Sequence, residues 1–299
     1  MAPSAGRQFL DPAVLARLGN LELKAATVVE GFLSGLHRSP FKGFSVEFAE
    51  YRQYIPGDDL STIDWKVYAR SDRHYVKKFE EETNVNCHLL LDVSRSMEYG
   101  STGITKFEYA QCLAASLGYL MTRQRDAVGL AAFDDRIQTM LPASARPGHL
   151  RALLGTLDRL QVGKETDISK PLHQLADAFT RRGIVVLISD LLDDPDRVVR
   201  AVRHFQFRGT DVIVFHVLDP DELEFPFERA TRFEDLETND EVMAIPTVAR
   251  SDYLKAINGL VERYRREWGA AGIDYQLLST REPLELALLA YLSTRAHAF

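Results

Sequence analysis

The sequence is poor in cysteine and contains no long apolar run. Only two cysteines, Cys87 and Cys112, occur among the 299 residues. Both lie within apolar patterns, which predicts small buried side chains rather than a disulfide. No stretch approaches the roughly 18 to 20 consecutive apolar residues that a membrane-spanning helix needs, and residues 1–10 lack the basic region and apolar run of a secretory signal. We therefore expect a cytoplasmic protein without a membrane span.

Several short motifs of enzyme and metal sites are also missing. The patterns CxxC, HExxH and GxxxxGK[ST] do not occur in the sequence. The histidines fall in different predicted elements, and no histidine is recognisable as a base for a nucleophilic serine. These absences favour a protein that is not an enzyme.

Charge is nearly balanced outside one acidic segment. The chain carries 36 Lys and Arg against 43 Asp and Glu, a formal net charge of -7. Residues 219–241 contain ten acidic and two basic residues, so this segment contributes -8 and the rest of the chain about +1. Such a balance does not favour nucleic-acid binding. We predict that the acidic segment is a solvated loop and a candidate docking strip for a basic partner surface.

Apolar runs alternate with helical spacing from residue 85 onward. Strands are predicted at residues 85–93, 127–133, 137–141, 184–188, 212–217 and 275–278. Between them, apolar residues recur at helical spacing. This alternation predicts an α/β fold with a doubly wound, mostly parallel sheet. We assign residues 85–299 to this domain, with a helix at its C-terminal end, and residues 1–84 to an N-terminal accessory segment of helical and β character.

Small polar side chains follow two of the predicted strands. A DxSxS pattern ends the first strand, Asp190 follows the fourth, and a threonine lies in the loop 163–167. Ligands of open parallel sheets bind at the carboxyl ends of strands, so five oxygen donors are expected around one point: Asp92, Ser94, Ser96, Thr166 and Asp190. Two carboxylates and three hydroxyls suit a hard divalent cation such as Mg²⁺, Mn²⁺ or Ca²⁺. Without sulfur or imidazole donors, zinc is disfavoured.

Each of these residues also has a purely structural interpretation. Asp92 and Asp190 are suited to accept backbone N–H groups in turns at strand ends. Thr166 is suited to cap the following helix. Both interpretations stay open at the level of the residues alone.

The separated polar patterns resemble the von Willebrand factor A domain and its metal-ion-dependent adhesion site, over about residues 85–278. The resemblance implies that Asp92, Ser94, Ser96, Thr166 and Asp190 are the metal-site residues. Two positions depart from the adhesive members. Arg95 stands where glycine is usual within DxSxS, and Leu191 follows Asp190 where glycine is common. Both changes leave the donors intact and alter the surface by which a ligand approaches the metal.

The preceding segment is similar to the characteristic block of the bacterial domain-of-unknown-function family 58. The similarity lies in EYRQYIPGDD at residues 50–59, IDWK at 63–66, AR at 69–70 and FEEE at 79–82, followed by DVSRSM at 92–97. It implies a protein that acts with a MoxR-type AAA+ ATPase, or with the client of that ATPase, in a chaperone or assembly role. Some members carry membrane helices ahead of this block, whereas this chain resembles the soluble branch.

The leading hypothesis is a non-enzymatic interaction module that binds a partner carboxylate through a Mg²⁺ ion at these five residues. A metal-dependent phosphoester hydrolase using the same site is the second hypothesis, because a bound cation can activate water. A structural scaffold with an empty site is the third.

Overall fold

The computed structural model describes Pro12, Leu15 and residues 19–38, 51–53, 75–77, 85–163, 167–229, 231–234 and 241–297. The chain divides into two compact units, one of Met1–Ser34 with Val85–Phe299 and one of Gly35–Asn84. In the smaller unit, β1 (Tyr51–Gln53) pairs antiparallel with β2 (Tyr75–Lys77). The predicted division into residues 1–84 and 85–299 stays a prediction.

The larger unit is built around one six-stranded sheet. Its strands are β3 (Asn86–Asp92), β4 (Ala127–Phe133), β5 (Ile137–Ser144), β6 (Gly183–Ser189), β7 (Asp211–Leu218) and β10 (Asp274–Ser279). They lie in the order β10-β7-β6-β3-β4-β5. All neighbours are parallel except β4 and β5, which are antiparallel. The predicted mostly parallel sheet is confirmed.

Helices connect these strands. Their bounds are α1 (Leu21–Arg38), α2 (Lys106–Arg123), α3 (His149–Arg159), α4 (Ser169–Ala178), α5 (Pro195–Phe207), α6 (Pro220–Glu224), α7 (Pro246–Gly269) and α8 (Glu285–His297). Among the described residues, no helix is both long and apolar enough to cross a membrane. A cytoplasmic location stays a prediction.

Helices cover both faces of the sheet because the side chains of a strand alternate between its two faces. Leu90 of β3 belongs to a buried cluster with residues of α4, α5 and α7, among them Leu172 and Trp268. On α2, Gly118 lies close to the neighbouring Leu89, since a Cβ atom at position 118 would fall 3.7 Å from a Leu89 methyl carbon. The doubly wound α/β architecture is thereby confirmed.

The described residues of the acidic segment 219–241 form secondary structure rather than the predicted loop, while Glu224, Glu228, Glu234 and Glu241 are exposed to solvent as expected. The segment contains the short helix α6 and the strand β8 (Thr231–Glu234), which pairs antiparallel with β9 (Glu241–Ala244) at the end of the segment. Asp219 is fully buried and caps α6. Carboxylates before and in the first turn of a helix accept its unpaired backbone N–H groups, so part of this charge is structural.

Candidate functional site

The candidate site lies where two neighbouring parallel strands end. Leu91 of β3 is in register with Ile188 of β6, so Asp92 and Asp190 follow on adjoining strand ends. Ser189 connects the two strands directly, because its Oγ donates a 2.5 Å hydrogen bond to Oδ2 of Asp92. The sheet therefore brings together the two carboxylates that the sequence singled out. Both are fully buried.

The DxSxS segment turns sharply at the end of β3. The backbone N–H of Ser94 donates to Oδ1 of Asp92 over 2.8 Å. The Oγ atoms of Ser94 and Ser96 lie 3.1 Å apart. A short 3-10 helix, Arg95–Glu98, begins within the motif and holds this turn. Four of the five predicted donors thus gather around the ends of β3 and β6.

Thr166 lies outside the described residues. The described ends of its loop are nevertheless attached beside the site. On one side, the N–H of Gly163 donates to the carbonyl of Val93 over 2.6 Å. On the other side, the N–H of Ile168 donates to Oδ2 of Asp193 over 3.1 Å.

A buried lysine, which the sequence reasoning missed, contacts Asp190. Nζ of Lys106 lies 2.8 Å from Oδ2 of Asp190 and 2.6 Å from Oε1 of Glu222. Burial favours a lower pKa for Lys106, but the two carboxylates outweigh it and hold the pKa above its usual range. The signal was present in the sequence: Lys106 lies on the same helix stripe as Tyr109, Ala110 and Leu113, which is otherwise apolar.

Among the described residues, the charge of Asp92 is less well compensated than that of Asp190. Burial raises the pKa of Asp92 to about 7, and the negative charge of Asp190 adds to the rise, while hydrogen bonds from Ser189 and Ser94 oppose it. Among the described residues, the ion pairs at this site are made by Asp190 and Glu222, not by Asp92. A cation beside Asp92 would favour the charged form of its carboxyl and so oppose the rise in its pKa.

The backbone that follows Asp190 is tightly fixed. Leu191 has a φ of 54°, in the left-handed region that favours glycine. This conformation gives a physical reason for the glycine that the resemblance predicted there. The Leu191 N–H donates to Oγ of Ser189, and its side chain is fully buried.

The imidazole of His216 lies close to Asp190 but has no free nitrogen. Nε2 is 2.8 Å from the carbonyl oxygen of Asp190, and Nδ1 is 2.7 Å from the hydroxyl of Tyr275. Burial lowers the pKa of His216 to about 4, so the ring is neutral at physiological pH. The contacts and burial make His216 a structural support for the Asp190 backbone.

The donor chemistry of the site suits a hard cation. Among the described residues, no group of three or more His, Cys, Asp or Glu side chains gathers as metal ligands. The candidate set instead combines two carboxylates with hydroxyls, which are oxygen donors of the kind that Mg²⁺ and Ca²⁺ accept.

Comparison with known proteins assigns the family. A family model described as "Protein of unknown function DUF58" matches residues 50–260. The chain belongs to the DUF58 family. Uncharacterized proteins of Mycobacterium tuberculosis and Mycobacterium bovis are 28% identical to this DUF58 chain over 250 residues. The matched region covers 82% of this chain and 78% of each relative.

Solved structures with a similar fold share little sequence with this DUF58 protein. The conserved hypothetical protein BatB from Bacteroides thetaiotaomicron is 17% identical, with a TM-score of 0.48 and coverage of 71% of this chain and 99% of its own. The VWA domain of SpRpn10 is 14% identical, with a TM-score of 0.39 and coverage of 69% and 94%.

Proposed function

We propose that this DUF58 protein is a non-enzymatic interaction module that binds a carboxylate of a partner protein through a divalent cation, Mg²⁺ first among the candidates. Asp92, Ser94, Ser96, Thr166 and Asp190 would hold the ion. The observation that carries the proposal is the convergence of two buried strand-end carboxylates with the paired hydroxyls of Ser94 and Ser96.

The donor set explains why a partner carboxylate would be the ligand. The hydroxyls bring no charge, so only two carboxylates oppose the charge of the ion. Mg²⁺ bound in proteins usually keeps several waters. A carboxylate from a partner can replace one of them and form a charge-assisted contact in a partly buried site.

Binding is favoured over hydrolysis by the surroundings of Asp190. A hydrolase needs a general base within reach of the attacking water. The nearby His216 is buried and hydrogen-bonded at both ring nitrogens, so neither nitrogen is free to take a proton from an attacking water. We therefore propose a role in recognition rather than turnover.

We further propose that the protein works in the cytoplasm with a MoxR-type AAA+ ATPase. The support is the family membership together with the sequence block at residues 50–82. Either the ATPase or its client would supply the carboxylate.

Co-purification with a MoxR-type ATPase encoded in the same genome tests this proposal. Purified full-length chain is immobilised and challenged with the ATPase in Mg²⁺ and in EDTA. We expect capture in Mg²⁺ that is lost in EDTA and in Asp92→Asn. Asp134→Asn is the matched control, since Asp134 is also a buried acid at a strand end but its oxygens are used by Arg136 and Gln138. Equal capture by Asp92→Asn, or none by wild type, would contradict the proposal.

A further inference from the structure

Lys106 is a buried cation that contacts the proposed metal site without being one of its ligands. It stands at the start of α2 with its side chain fully buried, a rare position for an ammonium group. Its Nζ lies between two carboxylates, 2.8 Å from Asp190 and 2.6 Å from Glu222. One of these belongs to the proposed metal site, and the other belongs to α6.

The contact occupies one oxygen of a carboxylate that the proposed metal site needs. Oδ2 of Asp190 accepts from Lys106, while Oδ1 is 3.3 Å from the N–H of Leu192. A divalent ion bound at Asp190 would share this carboxylate with the ammonium. Two cations held by one carboxylate repel each other, and the repulsion is strong where water is excluded.

Glu222 offers the ammonium a second anchor. Its Oε1 accepts from Lys106, and its Oε2 accepts from the backbone N–H of Asp219, which completes the cap of α6. Asp219 in turn accepts from Ser101 and from the hydroxyl of Thr280. A shift of Lys106 away from Asp190 would therefore be transmitted to the start of α6 and to the loops that Asp219 ties together.

We propose that Lys106 is a positioning residue that competes with the divalent cation for Asp190, sets the affinity of the site, and couples its occupancy to α6. This inference rests on the proposed metal site. With an ion bound, Asp190 would serve as its ligand and Lys106 would keep its ion pair with Glu222. Glu222 thereby makes occupancy easier, because it takes over the ammonium that Asp190 releases.

Two substitutions are expected to act in opposite directions. Lys106→Met removes the competing charge, so Mg²⁺ binding becomes tighter by about tenfold or more. Glu222→Gln leaves the ammonium to Asp190 while a glutamine can still accept the capping bond of Asp219, so Mg²⁺ binding becomes weaker by about threefold or more. A purely structural role would weaken binding in both variants. Lys255→Met, which removes an exposed lysine of α7, is the matched control.

The experiment is calorimetric titration of Mg²⁺ into full-length wild type and the three variants, with hydrogen exchange of residues 219–229 followed in Mg²⁺ and in EDTA. Tighter binding by Lys106→Met, weaker binding by Glu222→Gln, an unchanged control, and Mg²⁺-dependent exchange near α6 in wild type support the inference. Mg²⁺ affinity in Lys106→Met equal to or below that of wild type would overturn it. If Lys106→Met does not fold, unchanged affinity in Glu222→Gln overturns it.

The outcomes separate this inference from the proposed function. Mg²⁺ binding by wild type with no effect of either substitution refutes the role of Lys106 and leaves the metal site standing. Binding by Lys106→Met but not by wild type supports the competition and contradicts the proposed function. No binding by any folded variant refutes both.

Discussion

Loss of the Lys106 charge should strongly destabilise the metal-free protein. Lys106 and Asp190 are both fully buried, and Glu222 is largely buried. Removing one partner of a buried ion pair typically costs about 3 to 5 kcal/mol, because the remaining charge is left uncompensated. For Lys106→Met we expect a loss of about 3 kcal/mol in the free energy of unfolding, near the lower limit of this range. Methionine fills the space of the lysine side chain, and the carboxyl of Asp190 or Glu222 can take up a proton once the ammonium is gone.

The assay is urea denaturation in EDTA at neutral pH, followed by circular dichroism and tryptophan fluorescence. The double variant Lys106→Met/Asp190→Asn provides the check on mechanism. Since it removes an uncompensated negative charge, it should be more stable than Lys106→Met by at least about 1 kcal/mol, a coupling typical of groups in contact.

Two results would show that the ion pairs of Lys106 do not stabilise the fold. One is a loss of less than about 1 kcal/mol in the free energy of unfolding of Lys106→Met. Such a loss would be close to that of the control Lys255→Met, since substitutions of exposed residues usually change stability by no more than about 0.5 kcal/mol. The other is strict additivity in the double variant. Either would mean that the lysine and the carboxylates do not depend on each other for stability.

Two further predictions concern the sheet. His88 stacks on Phe179 at 3.8 Å between ring centroids, and burial lowers its pKa to about 4. The unfolded chain therefore binds more protons between pH 6.5 and 4, so stability falls as the pH drops through this window, by up to about 3 kcal/mol. Urea midpoints measured from pH 7 to 4 should fall more steeply in wild type than in His88→Phe, and parallel curves would contradict the assignment. Gly183 lies opposite Asn86, and a Cβ there would fall 2.0 Å from the backbone oxygen of Asn86. Gly183→Ala should lower the free energy of unfolding by about 1 to 3 kcal/mol, because the added methyl group forces β3 and β6 apart. The control Gly259→Ala has open space around it and should be neutral or stabilising by up to about 1 kcal/mol. Thermal unfolding measures both, and equal stability of the two variants would contradict the prediction.

The sheet could be predicted from the sequence because its buried strands are continuous apolar runs. Residues 184–188 are all Ile, Val and Leu, and they form the centre of β6. The direction of β5 follows from the length of its connection to β4 rather than from its apolar pattern. An apolar pattern states which side chains are buried but not which way the strand runs, and the three-residue connection between β4 and β5 allows only an antiparallel pair.

The candidate site could be predicted where its residues follow strands directly. Asp92 and Asp190 are brought together by the register of β3 and β6, which any parallel pair would provide. The apolar stripe of α2 indicates that Lys106 is buried. Its contact with Glu222 could not be predicted, because the two residues come from two helices whose approach depends on tertiary packing. The burial of Asp219 was missed for a related reason: charge composition treats an acidic residue as solvated, whereas this one is held by a capping box and by Ser101.

Titration of Mg²⁺ into the metal-free full-length chain tests whether Asp92 and its neighbours form a divalent-cation site. Calorimetry of wild type should show one ion bound per chain, with Asp134→Asn unchanged. In Asp92→Asn the binding should be lost while the circular dichroism spectrum is retained, since asparagine keeps the shape of the side chain and can still accept from Ser94. Mg²⁺ binding of wild-type strength in a folded Asp92→Asn variant, or no binding by wild type, would mean that these residues do not form the proposed cation site.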